Sequence, residues 1–227
     1  MKRVFKCHTW FLCLLIISSA YLYAIPPKLN FKHISIEQGL SSSTIETIYQ
    51  DKRGFIWFGT RDGLNRYDGN QINTFRYDSK DTNSISDNYI KYIYEDSKQQ
   101  IWIGTINGLN KFNPTNNKFT RYKLPFANYN SNINSISCIY ENKKGDLWVS
   151  TLGNGIIVYS NNETTFTHYK SSKKVGDLPS NRVNYLYEDS KSNFWILTDV
   201  GLSWFDKITH QFKTLMVPIQ ICCLLSS

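Results

Sequence analysis

Recurring carboxylates are the first residues in this chain that could do chemistry. Asp51, Asp96 and Asp189 each precede a tryptophan (Trp57, Trp102, Trp195) by the same interval. A glycosidase or lyase would need a pair of acids converging on one bond. Repetition at a constant place marks these three as parts of a turn instead. Asp51 with Gly54 has the Asp-first, Gly-fourth spacing of a type I turn, and Asn142 with Gly145 repeats it; Asp96 and Asp189 keep only the first position. The four histidines, His8, His33, His168 and His210, are isolated. None has the helical, Glu-flanked setting of a phosphoacceptor, and no glycine-rich ATP lid or Walker-type loop occurs. Cys138 lies in an apolar run at 136–140, where a buried unpaired thiol is expected. Adjacent Cys222 and Cys223 have no His or spaced Cys pair to complete a zinc site. The expectation is no catalytic residue, no metal and no cofactor.

The elements that hold these residues follow from a repeat. Trp57, Trp102, Trp148 and Trp195 recur at intervals of 45, 46 and 47 residues, each inside an apolar segment (56–60, 101–105, 147–151, 194–198). Nine residues earlier stand Ile48, Ile93, Ile139 and Leu186, each followed by Tyr; shortly after comes a glycine, Gly63, Gly108, Gly155 or Gly201, then an aromatic at Tyr67, Phe112, Tyr159 or Phe205. Each copy reads as four short strands. Strand a, apolar on both faces, suits a strand covered on both sides. Strand b carries the Trp and ends in a hairpin turn such as Asp62-Gly63 or Asn107-Gly108. Strand c follows, and strand d covers 119–122, 166–169 and, less regularly, 74–77 and 212–215. Four antiparallel strands with one Trp per 45-odd residues is the unit of a β-propeller blade. The expected fold is all-β: an incomplete propeller of four four-stranded blades (about 41–77, 86–122, 132–169 and 179–215) in an open arc, preceded by a signal helix. The Trp residues, with Gly63, Gly108, Gly155 and Gly201, are structural marks of the repeat, filling space between blades.

Length and composition agree. The 227 residues are 41% hydrophobic and 15% aromatic, with 12 Gly and 6 Pro, which excludes disordered and collagen-like chains. Lys2, Arg3 and Lys6 precede an apolar run and the small residues Ser18, Ser19 and Ala20. This order reads as a secretory signal at 1–24 cleaved after Ala24. The alternative is an uncleaved anchor, the only membrane contact expected, because residues 7–25 carry no Lys, Arg, Asp or Glu. The rest faces the periplasm or cell envelope. Without the signal, 23 basic and 18 acidic residues leave about +5, too scattered for nucleic-acid binding.

The pattern V/I-x-x-I-Y-x-D-x-x-G-x-I-W-I-G-T-x-x-G-L-x-x-Y/F-D, together with the opening 31–42, resembles the two-component regulator propeller repeat, met in the sensor region of hybrid two-component histidine kinases of Bacteroidetes. The resemblance covers residues 31–217. The copies decay: the glycine after Trp becomes Ser150 and Leu197, and Gly54 becomes Gln99 and Ser192. These departures are expected to touch turns. The resemblance implies a non-catalytic periplasmic sensing module whose partners are oligosaccharides and the further blades and sensor domains that such proteins carry. Sugar recognition wants Asn/Asp hydrogen bonds and exposed aromatics on the d-to-a and b-to-c loops, which share one face. The candidates are Arg61, Asp62, Asn88, Tyr89, Asn107, Tyr129 and Asn154. The plainer reading is that they are solvated turn residues. The competing class is an enzyme on a propeller scaffold, since Asp51-x-x-Gly54-x-x-Trp57 is similar to the Asp-box turn of sialidase-like propellers.

Residues 31–36 read as a strand ahead of the first blade. The fourth blade brings its own outer strand, so that leading strand has no vacancy to fill and the arc is expected to stay open. The apolar tail 218–227 replaces the polar loop that should open another blade. Its expected origin is a truncated or frameshifted reading frame, the alternative being a real tail packed on the last blade; a non-functional fragment is a further alternative for the function.

Overall fold

The computed structural model describes residues 31–122, 124–125, 131–172 and 174–215. The signal segment, Tyr129 and the tail at 218–227 lie outside the described residues, as do Cys222 and Cys223. Four antiparallel four-stranded sheets are present, each a simple meander. The first is β1 (Ile45–Gln50), β2 (Ile56–Thr60), β3 (Gly63–Tyr67) and β4 (Ile72–Phe75). The second is β5 (Ile90–Glu95), β6 (Ile101–Thr105), β7 (Gly108–Asn113) and β8 (Lys118–Tyr122). The third is β9 (Ile136–Glu141), β10 (Leu147–Thr151), β11 (Ile156–Tyr159) and β12 (Phe166–Tyr169). The fourth is β13 (Val183–Glu188), β14 (Phe194–Thr198), β15 (Gly201–Asp206) and β16 (Gln211–Leu215). One helical turn, α1 (Ser131–Asn134), precedes β9.

Local chemistry sets each blade's shape. In the a-to-b turns the first residue accepts two backbone N–H groups on one side-chain oxygen. Asp51 Oδ1 takes Arg53 and Phe55, Asp96 Oδ1 takes Lys98 and Gln100, Asn142 Oδ1 takes Lys144 and Asp146, and Asp189 Oδ1 takes Lys191 and Asn193. The fourth turn position needs positive φ. Gly54 and Gly145 supply it freely, and Gln99 and Ser192 adopt it at 61° and 65°. At the other end of strand b a threonine hydroxyl closes the hairpin onto the glycine carbonyl: Thr60 to Gly63, Thr105 to Gly108, Thr151 to Gly155, Thr198 to Gly201. In the first two blades this hydroxyl also joins a buried network. Ser41 Oγ meets Thr60 Oγ1 and accepts from Asn65 Nδ2, Ser86 Oγ meets Thr105 Oγ1 and accepts from Asn110 Nδ2, and the Asn65 and Asn110 oxygens accept the serine backbone N–H groups. Each polar atom so confined has a partner, and the loop entering each blade is fixed to the blade's own hairpin.

Packing joins the sheets in sequence, first to second, second to third and third to fourth. Trp57, Trp102 and Trp148, at 0%, 1% and 5% exposure, lie under the next blade. Trp57 packs with Ile90, Ile93, Ile103 and Phe112 of the second blade, and Trp148 with Val183, Leu186, Phe194 and Phe205 of the fourth. Among the described residues no extensive contact joins the fourth sheet to the first, so the ring is open there. Cys138 is a free buried thiol in the third joint.

Four expectations are corrected. Residues 31–35 form no strand, and Ile36–Gln38 is a 3-10 turn closed by a Ser35–Gln38 capping box. The segment covers the rear of the first blade through Ile34 and Leu40, which pack on Phe58 and Tyr67. The outer strand of that blade is Ile72–Phe75 rather than 74–77, because Ile72 pairs with Tyr67 across the Asp68 turn. Strand a has no exposed residue in the second and third blades but is open on one face in the end blades, where Ile48 is 60% and Tyr187 55% exposed, and the strands buried throughout are β6 and β10. Finally, the glycine after Trp sits within strand b, not in a turn. A Cβ on Gly59 would lie 2.7 Å from Ile90 Cγ2, and one on Gly104 2.5 Å from Ile136 Cγ2. These glycines are sockets for the next blade.

Candidate functional site

The d-to-a loops and b-to-c tips do share one face. Backbone hydrogen bonds tie them together pairwise: Gly63 N–H to Asn88, Ile106 to Tyr89, Leu152 to Ser135, Gly155 to Asn181 and Asp199 to Arg182. The loop between the first two blades is held further by Arg121 of β8. Its guanidinium donates to the carbonyls of Ser84 and Asp81 and to Ser84 Oγ (2.8, 3.0 and 2.6 Å), while Lys118 pairs with Asp81 at 2.6 Å. This loop is therefore anchored to a sheet at several points, as a binding surface requires.

Two of the sequence candidates meet in one cluster. Arg61, from the first hairpin tip, donates to Glu46 Oε1 at 2.8 Å; the Tyr89 hydroxyl, from the next loop, donates to the same oxygen at 2.9 Å. Lys91 completes the group at 3.0 Å from Glu46 Oε2. Both cations also lie against the Tyr89 ring, Arg61 at 5.5 Å and Lys91 at 4.8 Å from its centroid. Desolvation pushes the Glu46 carboxyl up, but the hydrogen bonds from Arg61, Lys91 and Tyr89 and the Lys91 charge outweigh it and hold the group at about 2. An acid so low is ionised at neutral pH and serves as an acceptor, not as a proton donor. The cluster presents two cations, a half-buried phenol ring and an ionised carboxylate, a set able to hydrogen-bond hydroxyl or carboxylate groups and stack an apolar ring face.

The other candidates lie elsewhere on the loop face. Asp62 pairs with Arg76 at 3.0 Å, both half exposed. Asn88 spends its side-chain oxygen on the Tyr77 N–H at 2.7 Å and its carbonyl on Gly63. The Asn107 N–H bonds Thr105 Oγ1 within the second hairpin. Asn154 donates to the Ile133 carbonyl and to Asn134 Oδ1, and its own carbonyl meets His168 Nε2 at 2.7 Å. Tyr129 lies outside the described residues. Sequence reasoning missed Glu46 and Lys91. A signal was available: aligned by repeat, positions 46, 91, 137 and 184 hold Glu, Lys, Ser and Asn. Neighbouring inner strands therefore carry opposite charges at one level. Asp51, Asp96 and Asp189 stand at the opposite end of the blades, each accepting its tryptophan's indole N–H.

Four segments, residues 39–62, 84–107, 130–153 and 177–199, match the family described as two component regulator propeller. Over 56 residues, 25% of this chain, the sequence is 46% identical to Histidine kinase P4 of Formosa agariphila, of which that stretch is 4%. Among solved structures, the extracellular domain of a putative one component system from B. thetaiotaomicron aligns with a TM-score of 0.68 at 25% identity, over 82% of this chain and 27% of that one. The extracellular domain of a putative hybrid two component system from the same organism aligns at 0.57 and 29% identity, over 80% and 31%. Virginiamycin B lyase from Staphylococcus aureus, at 14% identity and a TM-score of 0.57 over 75% and 55%, shares the fold alone. The chain spans less than a third of either extracellular domain.

Proposed function

We propose, from the premise that this chain carries two component regulator propeller repeats, that it is an exported sensing or interaction propeller of a signalling protein, binding its ligand without turnover. The ligand class is glycan fragments, and the site is the loop face of the first two blades. The observation that carries this reading is the Arg61–Glu46–Tyr89–Lys91 cluster. The repeated turn acids and hairpin threonines are consumed within their own turns, whereas this set places two cations and an aromatic ring at a loop surface anchored by Arg121. Sugar hydroxyls pair with such mixed donors and acceptors, and a pyranose face stacks on a phenol ring. The similarity to extracellular domains of signalling systems supports export and sensing.

The test is titration of the full chain with an oligosaccharide library, following both binding and products. Saturable binding without products, weakened about tenfold or more by Tyr89→Ala or Arg61→Ala, is the expected outcome. Released products would establish an enzyme instead. Binding that ignores both substitutions would move the site off this cluster.

A further inference from the structure

Each blade joint solves one packing problem with different residues, so the joints serve as controls for one another. Directly across from the repeat tryptophan, strand c carries Arg66, Lys111, Val158 and Trp204 in the four blades. In the first joint the Arg66 guanidinium lies within a cage of rings, 4.9 Å from the Phe55 centroid, 5.7 Å from Trp57, 5.8 Å from Phe75 and 5.6 Å from Phe112. In the second, Lys111 Nζ lies 5.2 Å from Trp102 and 5.5 Å from Tyr122, and pairs with Glu163 of the next blade at 2.6 Å. The third joint keeps the rings. Trp148 stacks on Tyr169 at 5.9 Å and 10°, and meets Phe205 edge-on at 5.1 Å. Val158 brings no cation to them. A cleft of about 290 Å³ opens at this place, lined by Trp148, Val158, Tyr169, Phe205 and Asp146.

The fifth residue matters most. Asp146 and Phe55 are repeat equivalents, since each donates its N–H to the first residue of its a-to-b turn. Where the first joint offers a fourth ring to its own guanidinium, the third offers a carboxylate. An aromatic cage with an acid at its wall attracts a cation by the ring quadrupoles and by direct pairing. The rim also carries Lys143, Lys144, Lys207 and His210. Lys207 is held on Glu188 at 2.7 Å, Lys143 on Ser192 Oγ, and His210 lies edge-on to Phe205.

We propose that the cleft between the third and fourth blades binds an organic cation, an ammonium or guanidinium group, in the place that Arg66 and Lys111 fill in the other joints. The cleft lies at the a-to-b and c-to-d turns, so the inference stands independently of the loop-face reading. The source can be a free amine or a basic side chain of a peptide. Agmatine and a blocked Gly-Arg-Gly peptide, titrated into the ¹⁵N-labelled full chain, distinguish them by which gives the tighter saturable shift of the Trp148 indole signal; either supports the proposal. Val158→Arg supplies the missing cation from within and should abolish the shift, and Asp146→Asn should weaken binding about tenfold. A melt of each variant verifies folding, and Asp146→Asn carries the test if Val158→Arg does not fold. No saturable response to millimolar agmatine, a response unchanged by both substitutions, or preferential binding of glucuronate would overturn it.

Discussion

Asp51, Asp96 and Asp189 accept the indole N–H groups of Trp57, Trp102 and Trp195 at 2.9, 2.8 and 3.0 Å. The Trp195 and Asn193 bonds hold the half-buried Asp189 at about 2. The third blade breaks the rule in an informative way. Asn142 keeps the two turn bonds, but its second atom is an NH₂ group that donates to Asp146 Oδ2 at 3.1 Å, and among the described residues the buried Trp148 indole N–H has no partner. In the fourth blade the arrangement is reversed, with Asn193 donating to Asp189. Exchanging the pair, Asn142→Asp with Asp146→Asn, should therefore satisfy Trp148 and stabilise the protein by about 1–2 kcal/mol, read as a higher thermal midpoint. Asn142→Asp alone should gain less, because it sets two carboxylates side by side. The Glu46 group makes a second prediction. Its folded pKa of about 2 lies below the ordinary 4.5, so its contribution is full above about 4.5 and is lost as pH falls towards about 2. Melts of Glu46→Gln and the parent at pH 6 and pH 3 should show the parent's advantage shrinking at the lower pH.

Between strands, the deciding contacts are those of strand b with the next blade. Gly59 and Gly104 receive Ile90 and Ile136, and Ser150 stands at the equivalent place in the third blade. Gly104→Ala should cost about 1–3 kcal/mol by forcing a Cβ against Ile136. Trimming Ile136 to Ala, which removes the Cγ2 that the new Cβ would strike, should cost less in the Gly104→Ala chain than in the parent in a double-mutant comparison of melting points. At the fourth blade this position is Leu197, half-buried, and the position across from Trp195 is Trp204. That face carries large side chains where the other joints keep a socket. The repeat made strand b and its hairpins legible from Trp spacing and the Thr–Gly interval. It did not distinguish a glycine required by φ, such as Gly63 at 131°, from one required by a neighbour's side chain. Both appear simply as glycine within a motif.

The whole molecule is quasi-one-dimensional: each blade is stabilised by its neighbours, and the second and third have two of them. The first is packed on its rear by Ile34 and Leu40, and the fourth exposes Tyr185, Tyr187 and Leu215. Hydrogen exchange should follow this gradient. Amides of β6 and β10, buried throughout, should exchange more slowly than those of β14, whose residues alternate between buried and half-buried. Equal protection across the blades would show that the molecule opens as one unit, contrary to this reading. The Arg61–Glu46–Tyr89–Lys91 cluster also belongs to this scale. It draws Glu46 and Arg61 from one blade, and Tyr89 and Lys91 from the approach to the next and its inner strand.

The chain's sequence alone determined four four-stranded sheets, their Trp-bearing strands and the face on which the loops gather. Those features repeat locally, and each is specified by turn chemistry and apolar patterning within some 45 residues. Tertiary structure decided what periodicity cannot carry: that Ile34 and Leu40 cap a blade where a strand was expected, that Gly59 and Gly104 are sockets, that Glu46 joins Arg61 and Tyr89, and that Val158 opens a cleft where Arg66 and Lys111 close one. Each depends on a side chain from the neighbouring repeat or from outside the repeats, and a single copy of the motif records only its own residues.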